Sequence, residues 1–179
     1  PGPAKALSPP LRNALLTYQS DFRCTRPIPE AGHFIVTGQQ PALFGGPLYT
    51  LYKALTAWRM AERVAAVHGV PCTPLFWLAG DDHDFAEAQS AHFFDRTGAP
   101  FTLRYEPSVP TGSLPLYHIP IEPSLHALVD EAADRAPGAA YKENTRAFLH
   151  ESLQASASLH DWSAHIVAKL TACAPVALF

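Results

Sequence analysis

The sequence has few cysteines, no excess of basic residues and no long apolar run, and each of these absences excludes a class of protein. The three cysteines, Cys24, Cys72 and Cys173, are odd in number and far apart. Such a pattern fits a reducing cytoplasm better than a disulfide framework or a zinc site. Thirteen basic against sixteen acidic residues give a net charge of −3, so we expect no nucleic-acid partner. No apolar run could cross a bilayer, so we expect no membrane partner.

What the sequence does contain is typical of one globular domain. The chain has 179 residues, 47% of them hydrophobic, and a mean hydropathy of −0.02, which allows a sizeable core. We divide this single domain into four consecutive parts: an N-terminal helix and connector (1–32), a βαβ core with the site loops (33–90), a hairpin and Pro-rich connector (91–122), and a helical segment that reaches the start of a further strand (123–179).

The βαβ core is predicted from periodicity. Residues 33–37 form a short strand pattern, and a helix follows over 48–67, with an apolar stripe of Leu48, Leu51, Tyr52, Leu55 and Trp58. Gly69 suits the end of that helix. The run 70–79 is nearly all apolar, which is typical of a parallel strand buried on both faces, and Trp77 within it is interpreted as a core residue.

The rest of the chain is predicted to be mainly helical. Residues 1–10 are rich in proline and are expected to fray. Gly98 suits the turn of a hairpin. The other predicted elements are a helix over 10–22, hairpin strands over 91–94 and 101–105, and helices over 124–135, 141–155 and 159–173. The fold class is therefore α/β, with a parallel βαβ core, an inserted β-hairpin and a C-terminal group of helices.

A glycine-rich loop follows the first strand of the core, in the stretch IVTGQQPALFGGPLYT (35–50). Loops between a strand and a helix commonly bind ligands in α/β sheets. Gly38, Gly45 and Gly46 would let the backbone approach a ligand, and Gln39 and Gln40 offer donors and acceptors. The alternative is that these glycines only satisfy turns. The loop matches neither the dinucleotide fingerprint nor the Walker A pattern.

An acidic loop, Asp81-Asp82-His83-Asp84, follows the second strand. It could bind a divalent metal, orient a histidine base or hold an ammonium group. The alternative for Asp84 and Glu87 is a capping box that only begins a helix. We predict no metal, because the recognised zinc-site spacings are absent. Because parallel strands end at one edge of a sheet, we expect this loop and the glycine-rich loop at the same edge.

Tyr49 and Lys53 lie four residues apart on the helix after the glycine-rich loop, so they share a face near its start. A lysine at that place could meet a phosphate or a carboxylate. A solvated surface lysine is the usual alternative.

Two segments, TGQQPALFGGPLYTLYKA (37–54) and PLFWLAGDDHDFAEA (74–88), resemble those of the bacillithiol biosynthesis cysteine-adding enzymes. The resemblance implies a Rossmann-like core related to nucleotidyltransferases. It also implies amide formation between the carboxyl group of cysteine and the amine of glucosaminyl-malate. The matching positions are Gly38, Gln39, Gln40, Gly46, Pro47, Tyr49, Lys53, Trp77, Asp82, His83, Asp84 and Phe85. The histidine pair of related nucleotidyltransferases is replaced here by residues 46–49.

From the residues and the resemblance together, we predict the site as follows. Asp82 and His83 are the catalytic candidates. The candidates for binding the substrates or a nucleotide are Gly38, Gln39, Gln40, Gly45, Gly46, Tyr49, Lys53, Asp81 and Asp84. Cysteine and glucosaminyl-malate are the expected small-molecule substrates, ATP is left open as a cofactor, and the longer family members imply a homodimer.

Two other functions stay open. The chain could be a binding module that holds a nucleotide or sugar acid in a half-site without chemistry, or another small-molecule ligase or transferase on a similar core. Because the resembling family is much longer, we interpret the chain as either a fragment or a reduced homologue. We expect it alone to bind ligands weakly, to self-associate and not to carry the whole reaction.

Overall fold

The computed structural model describes residues 2–179. Its strands are β1 (Lys5–Ala6), β2 (Ala31–Gln39), β3 (Cys72–Leu78), β4 (Ser90–Phe94), β5 (Pro100–Arg104) and β6 (Ala177–Leu178). Its α-helices are α1 (Pro9–Asp21), α2 (Tyr49–His68), α3 (Phe85–Ala88), α4 (Pro123–Arg135), α5 (Lys142–Gln154) and α6 (Leu159–Leu170). The chain forms two compact units. Unit 1 contains residues 2–39, 47–79 and 167–179, and unit 2 contains residues 40–46 and 80–166.

Unit 1 is built on a four-stranded sheet in the order β1-β2-β3-β6. β2 and β3 are parallel, in a register that runs from His33↔Cys72 to Gln39↔Leu78, and α2 connects them. The predicted parallel βαβ core is therefore confirmed. The apolar end of the chain forms β6, which lies parallel to β3 with Leu75 opposite Ala177.

Helix α2 has the predicted extent, and its predicted stripe is buried only in part. Leu48 and Tyr52 are largely exposed, whereas Leu51, Leu55 and Trp58 are half-buried. The buried apolar positions are Ala54, Ala57 and Ala61. These alanines recur every three to four residues, so they form one stripe, and their small side chains let the helix backbone approach the sheet closely. The prediction was therefore wrong at Leu48 and Tyr52 and did not include the alanines. Gly69, with a φ of 64°, ends the helix as predicted, and its N–H donates to the carbonyl of Ala65.

Trp77 is not a core residue. Its side chain is 44% exposed, whereas Phe76 and Leu78 on either side of it are buried. Side chains alternate along a strand, so Trp77 shares the face of Leu75. A cluster containing Leu15, Leu75 and Ala177 covers that face. Nearer the end of the strand, the ring of Trp77 contacts the ring of Phe179, and their centroids are 5.6 Å apart. Among the described residues this is the only aromatic pair of Trp77.

The N-terminal residues are not frayed at positions 5 and 6. Lys5 and Ala6 form β1, antiparallel to the beginning of β2, and Leu7 N–H donates to the carbonyl of Glu30 at 2.8 Å. Sequence analysis did not predict this strand, because two residues are too few to show an alternating pattern and the prolines around them favour irregular structure. β1 covers only Ala31 and Gly32 of β2.

Unit 2 holds the predicted hairpin and helices around a separate core. β4 and β5 pair antiparallel, and Gly98 has a φ of 82° in their turn. Helices α4 and α5 pack against each other, and α6 is the next helix in the sequence. The core contains Leu116, Ile119, Leu125, Val129, Leu153, Leu159 and Trp162, all with at most 1% of their surface exposed.

Tyr105 is a fully buried residue of this core whose hydroxyl donates to the carbonyl of Pro120 at 2.8 Å. Burial raises the pKa of Tyr105 from 10.0 to about 12. Since the folded pKa is raised, its contribution to stability is complete below the unfolded pKa and is lost as the pH rises through the folded pKa. The free energy of unfolding should therefore fall between pH 10 and about 12.

We expect Tyr105→Phe to lower the free energy of unfolding by about 1 kcal/mol at neutral pH, because the hydrogen bond is lost. The variant should also lose part of the alkaline decline. Urea unfolding at several pH values measures both effects. Tyr141→Phe is the matched control, since Tyr141 is 76% exposed. Identical alkaline profiles for the wild type and Tyr105→Phe would contradict the assignment.

Candidate functional site

Strands β2 and β3 end at the same edge of the sheet in unit 1. Their register continues to the last residues of both strands, and Ala79 N–H donates to the carbonyl of Gln39 at 3.0 Å. The predicted site residues divide between the units. Unit 1 contains Gly38, Gln39, Tyr49 and Lys53, and unit 2 contains Gln40, Gly45, Gly46, Asp81, Asp82, His83 and Asp84.

In unit 1, Lys53 and Tyr49 reach from α2 to the end of β2. Lys53 Nζ donates to the Gly38 carbonyl at 3.1 Å and to Gln39 Oε1 at 2.8 Å. The Tyr49 hydroxyl donates to the same Gln39 oxygen at 2.7 Å, and Lys53 Nζ lies 4.6 Å from the Tyr49 ring centroid. Because two donors fix the Gln39 oxygen, its NH₂ group is directed away from them. The third N–H of Lys53 is available to an anion.

Tyr49 and Lys53 line a cavity of about 370 Å³ in unit 1, together with Thr37, Tyr52 and Met60, whereas Gly38 and Gln39 are not among its lining residues. Lys53 therefore contributes to a mainly apolar concave surface between β2 and α2.

Gly38 has a structural reason to be glycine. A Cβ atom there would lie 2.6 Å from the carbonyl oxygen of Trp77 and 3.1 Å from its Cβ. The two parallel strands could not keep this spacing with any other residue at position 38. The protein's own packing thus accounts for this glycine.

The glycine-rich loop is anchored in the core of unit 2. Ala42 and Leu43 are buried, and Ala42 N–H donates to Ser163 Oγ at 3.4 Å. The turn Leu43–Gly45 follows, with Gly45 at a φ of 80°. Gln40 and Gly46 are half-buried. The prediction did not include Ser163, because nothing in its helical sequence context distinguishes it.

The acidic loop is held by backbone hydrogen bonds within unit 2. The carbonyls of Gly80 and Asp82 accept from the N–H groups of Tyr117 and Leu116, at 3.1 and 2.8 Å. Asp84 accepts the N–H of Glu87 at 3.1 Å and begins α3, so the capping interpretation of Asp84 describes its contact. The cap accounts for the side chain of Asp84 alone, and those of Asp81, Asp82 and His83 are left for other roles.

The hydrogen bonds of His83 and Asp82 determine what each can do. His83 Nδ1 lies 3.0 Å from the carbonyl oxygen of Asp81. Since a carbonyl only accepts, Nδ1 carries the proton and Nε2 of the neutral ring is a proton acceptor. Asp82 Oδ1 accepts the N–H of Asp84 at 2.9 Å. Its other carboxylate oxygen has no partner among residues 2–179. The loop therefore presents a proton acceptor next to a carboxylate.

Asp82, His83 and Asp84 line a cavity of about 750 Å³ in unit 2. Its other lining residues include Gln89, Arg104 and Thr111. Sequence reasoning missed Arg104 and Thr111 because one ends a hairpin strand and the other lies in the Pro-rich connector, 20 or more residues from the acidic loop. The pairing of β4 with β5 returns Arg104 to this region, and the hydrogen bonds of Leu116 and Tyr117 to the acidic loop return the connector that contains Thr111.

The three cysteines differ in exposure within the described residues: Cys173 is exposed, Cys72 is half-buried and Cys24 is buried. Within residues 2–179, no group of three or more histidine, cysteine or acidic side chains could hold a metal ion. Burial raises the pKa of Cys24 and of Cys72, which keeps both thiols neutral near pH 7.

Among residues 2–179, no helix combines the length and the apolar character that a membrane-spanning helix requires.

A parallel βαβ unit with polar side chains at its strand ends is the arrangement of a Rossmann-like, small-molecule-binding domain. Comparison with known families specifies it further. Residues 28–177 match the model of the family described as "Bacillithiol biosynthesis BshC, N-terminal Rossmann-like domain". The chain belongs to this family.

Individual relatives agree with the family match. The chain is 32% identical over 136 residues to a protein of Salinibacter ruber and 35% identical over 141 residues to one of Solibacter usitatus. These matches cover 76% and 77% of this chain but 25% of each relative. A shorter match, 57% over 53 residues, covers 30% of this chain and 10% of a Heliobacterium modesticaldum protein. All three bear the name "Putative cysteine ligase BshC". The chain thus spans about a quarter of the length of the first two relatives.

Proposed function

We propose that this chain is the part of a cysteine ligase that receives the amine substrate, glucosaminyl-malate, for amide formation with cysteine. The observation that carries the proposal is the pair Asp82 and His83. The Asp81 carbonyl fixes the His83 tautomer, and Asp82 keeps one unpaired carboxylate oxygen among residues 2–179. Family membership and the names of the relatives support the same reaction.

The chemistry assigned to these two side chains is recognition and deprotonation of an amine. The Asp82 carboxylate attracts the ammonium form of the amine. His83 Nε2 then accepts one of its protons, which leaves the nitrogen lone pair free to attack the carboxyl carbon of cysteine. The C–N bond forms as one carboxyl oxygen leaves, as water or, where ATP activates the carboxyl group, as part of a phosphate. Both groups line the same cavity, as a residue that binds the ammonium group and the base that deprotonates it must.

Lys53 is the proposed anion receptor of unit 1. Its ammonium group is held by Gly38 and Gln39 and keeps one N–H for a ligand. A carboxylate or a phosphate would bind there with a charge-assisted hydrogen bond. Whether the reaction needs ATP is tested below by comparing mixtures with and without it.

We expect the 179-residue chain to bind glucosaminyl-malate, and Asp82→Asn to weaken that binding about tenfold or more, because a charge-assisted contact is lost. Isothermal titration measures the dissociation constants. Asp134→Asn is a suitable control, since Asp134 is an exposed residue that pairs only with Arg146 among the described ion pairs. Equal affinity of the wild type and Asp82→Asn would contradict the proposed amine site.

Because this chain spans about a quarter of its relatives, the reaction itself is tested in a full-length cysteine ligase that contains this domain, by adding cysteine and glucosaminyl-malate with and without ATP and analysing the mixture by mass spectrometry. The product is the amide of cysteine with glucosaminyl-malate. Formation that depends on His83, shown by its loss in His83→Gln, supports the assignment of the base. Formation at an unchanged rate in His83→Gln would remove His83 from the chemistry and leave it a residue of the loop.

A further inference from the structure

The cavity of the acidic loop contains a cation that the proposed amine site does not use. Arg104, the last residue of β5, lines the cavity together with Asp82, His83 and Asp84. Negative and positive side chains therefore share one concave surface of about 750 Å³. This size falls within the range of small-molecule sites.

The protein does not neutralise Arg104 with the aspartates of the cavity. Its described ion pair is with Glu106, at 3.4 Å between Nε and Oε1, and both side chains are more than half exposed. Such a long, exposed pair contributes little. Arg104 makes no ion pair with Asp82 or Asp84 within 4.0 Å in residues 2–179. The cavity thus keeps its opposite charges apart, with unpaired guanidinium nitrogens on one side.

We infer that Arg104 is the carboxylate-recognition residue of this cavity and that the ligand is a small molecule bearing both an amine and a carboxylate. A guanidinium group matches a carboxylate with two parallel hydrogen bonds. A ligand that places its amine at Asp82 and its carboxylate at Arg104 satisfies both charges at once. Resting on the proposed function, this assigns the malate part of glucosaminyl-malate to Arg104.

Cysteine also bears an amine and a carboxylate, so the two substrates have to be distinguished. The proposed function places the amine of glucosaminyl-malate at Asp82, and the malate part of the same molecule supplies the carboxylate for Arg104 in the same cavity. Glucosaminyl-malate is accordingly the ligand assigned here, and cysteine is an arm of the test.

The test titrates the folded 179-residue chain at pH 7 with four probes: glucosaminyl-malate, methyl glucosaminide, malate and cysteine. Arg104→Gln should weaken glucosaminyl-malate and malate about tenfold, because a charge-assisted contact is lost. It should leave methyl glucosaminide, which has an amine but no carboxylate, unchanged. Arg104→Lys keeps the positive charge but loses the paired guanidinium N–H donors, so its affinity for glucosaminyl-malate should lie between those of the wild type and Arg104→Gln.

Arg59→Gln is the matched control, because Arg59 is also exposed and ion-paired, to Glu62, but lies on α2 in unit 1. It should change none of the affinities. A thermal melt verifies that each variant is folded. If Arg104→Gln melts at a lower temperature than the wild type, the affinity of Arg104→Lys for glucosaminyl-malate decides whether the inference holds.

Several outcomes would overturn the inference. Arg104→Gln could bind glucosaminyl-malate as tightly as the wild type, or it could lose methyl glucosaminide equally. A loss confined to cysteine would assign Arg104 to the other substrate. The proposed function is judged separately by methyl glucosaminide and Asp82→Asn. If Asp82→Asn weakens this amine and Arg104→Gln affects no probe, only the role of Arg104 fails. If the wild type binds neither amino sugar, both proposals fail.

Discussion

Trp162→Ala is expected to lower the free energy of unfolding by about 3–5 kcal/mol, the range for removing a buried aromatic side chain. Trp162 has none of its surface exposed. Its ring packs against Phe44, with centroids 5.3 Å apart, and its Nε1–H donates to Ser152 Oγ at 3.0 Å. The variant would leave a large cavity in the core of unit 2 and would remove the hydrogen bond that Ser152 accepts, although the Ser152 hydroxyl still donates to the Leu149 carbonyl. Urea unfolding followed by circular dichroism measures the difference.

Trp77→Ala is the control for this prediction, and its effect should be about 1–2 kcal/mol, because only part of the ring is removed from water. The side chain is 44% exposed and contacts Phe179 edge-on. The same residue type is thus compared in two environments. A larger loss from Trp77→Ala than from Trp162→Ala would contradict the burial pattern of both residues.

Gly45→Ala should cost about 2–4 kcal/mol. Part of the cost arises because a residue with a side chain is strained at the φ of 80°. A further part is overpacking, since the new Cβ would lie 2.6 Å from Cγ2 of Ile166. Both residues belong to unit 2. Ile166 is 4% exposed, so it has little room to move aside. The midpoint of urea unfolding reports the loss.

Gly98→Ala separates the two contributions. Gly98 has a φ of 82°, but an added Cβ there would meet nothing within 4 Å. It should therefore show the backbone strain alone, about 1 kcal/mol. The collision is tested by Ile166→Ala, which removes Cγ2. In a double-mutant cycle, Gly45→Ala should cost less in that background. Equal losses at positions 45 and 98 would show that Ile166 adjusts freely.

The elements of the βαβ core could be predicted because their sequence patterns are local. Gly69 ends α2 where a C-terminal glycine was expected, and the run of apolar residues in β3 is a parallel strand. Burial was harder to predict. Trp77 lies in an apolar run, and only the position of its neighbours beyond the strand shows that its face is partly open.

The candidate site was predictable only in part, for a related reason. Residues next to a strand end, such as Lys53 with Gly38 and Gln39, can be placed from the strand–loop–helix order alone. Arg104 reaches the acidic loop through the pairing of β4 with β5, with Ser90 opposite Arg104. A pairing between segments that are distant in sequence leaves no periodic pattern near either residue. The tautomer of His83 likewise depends on the conformation of its own loop.

The strand β6 has a consequence for the order in which the chain folds. It pairs with β3 across about a hundred residues, with Leu75 opposite Ala177, whereas most of unit 2 is the continuous stretch 80–166. Closing so long a loop is entropically unfavourable and slows contact formation. During synthesis residues 80–166 emerge before β6 does, so unit 2 can gain much of its structure first. Until β6 arrives, the β3 edge of the sheet has no strand partner and is open to pairing with another chain.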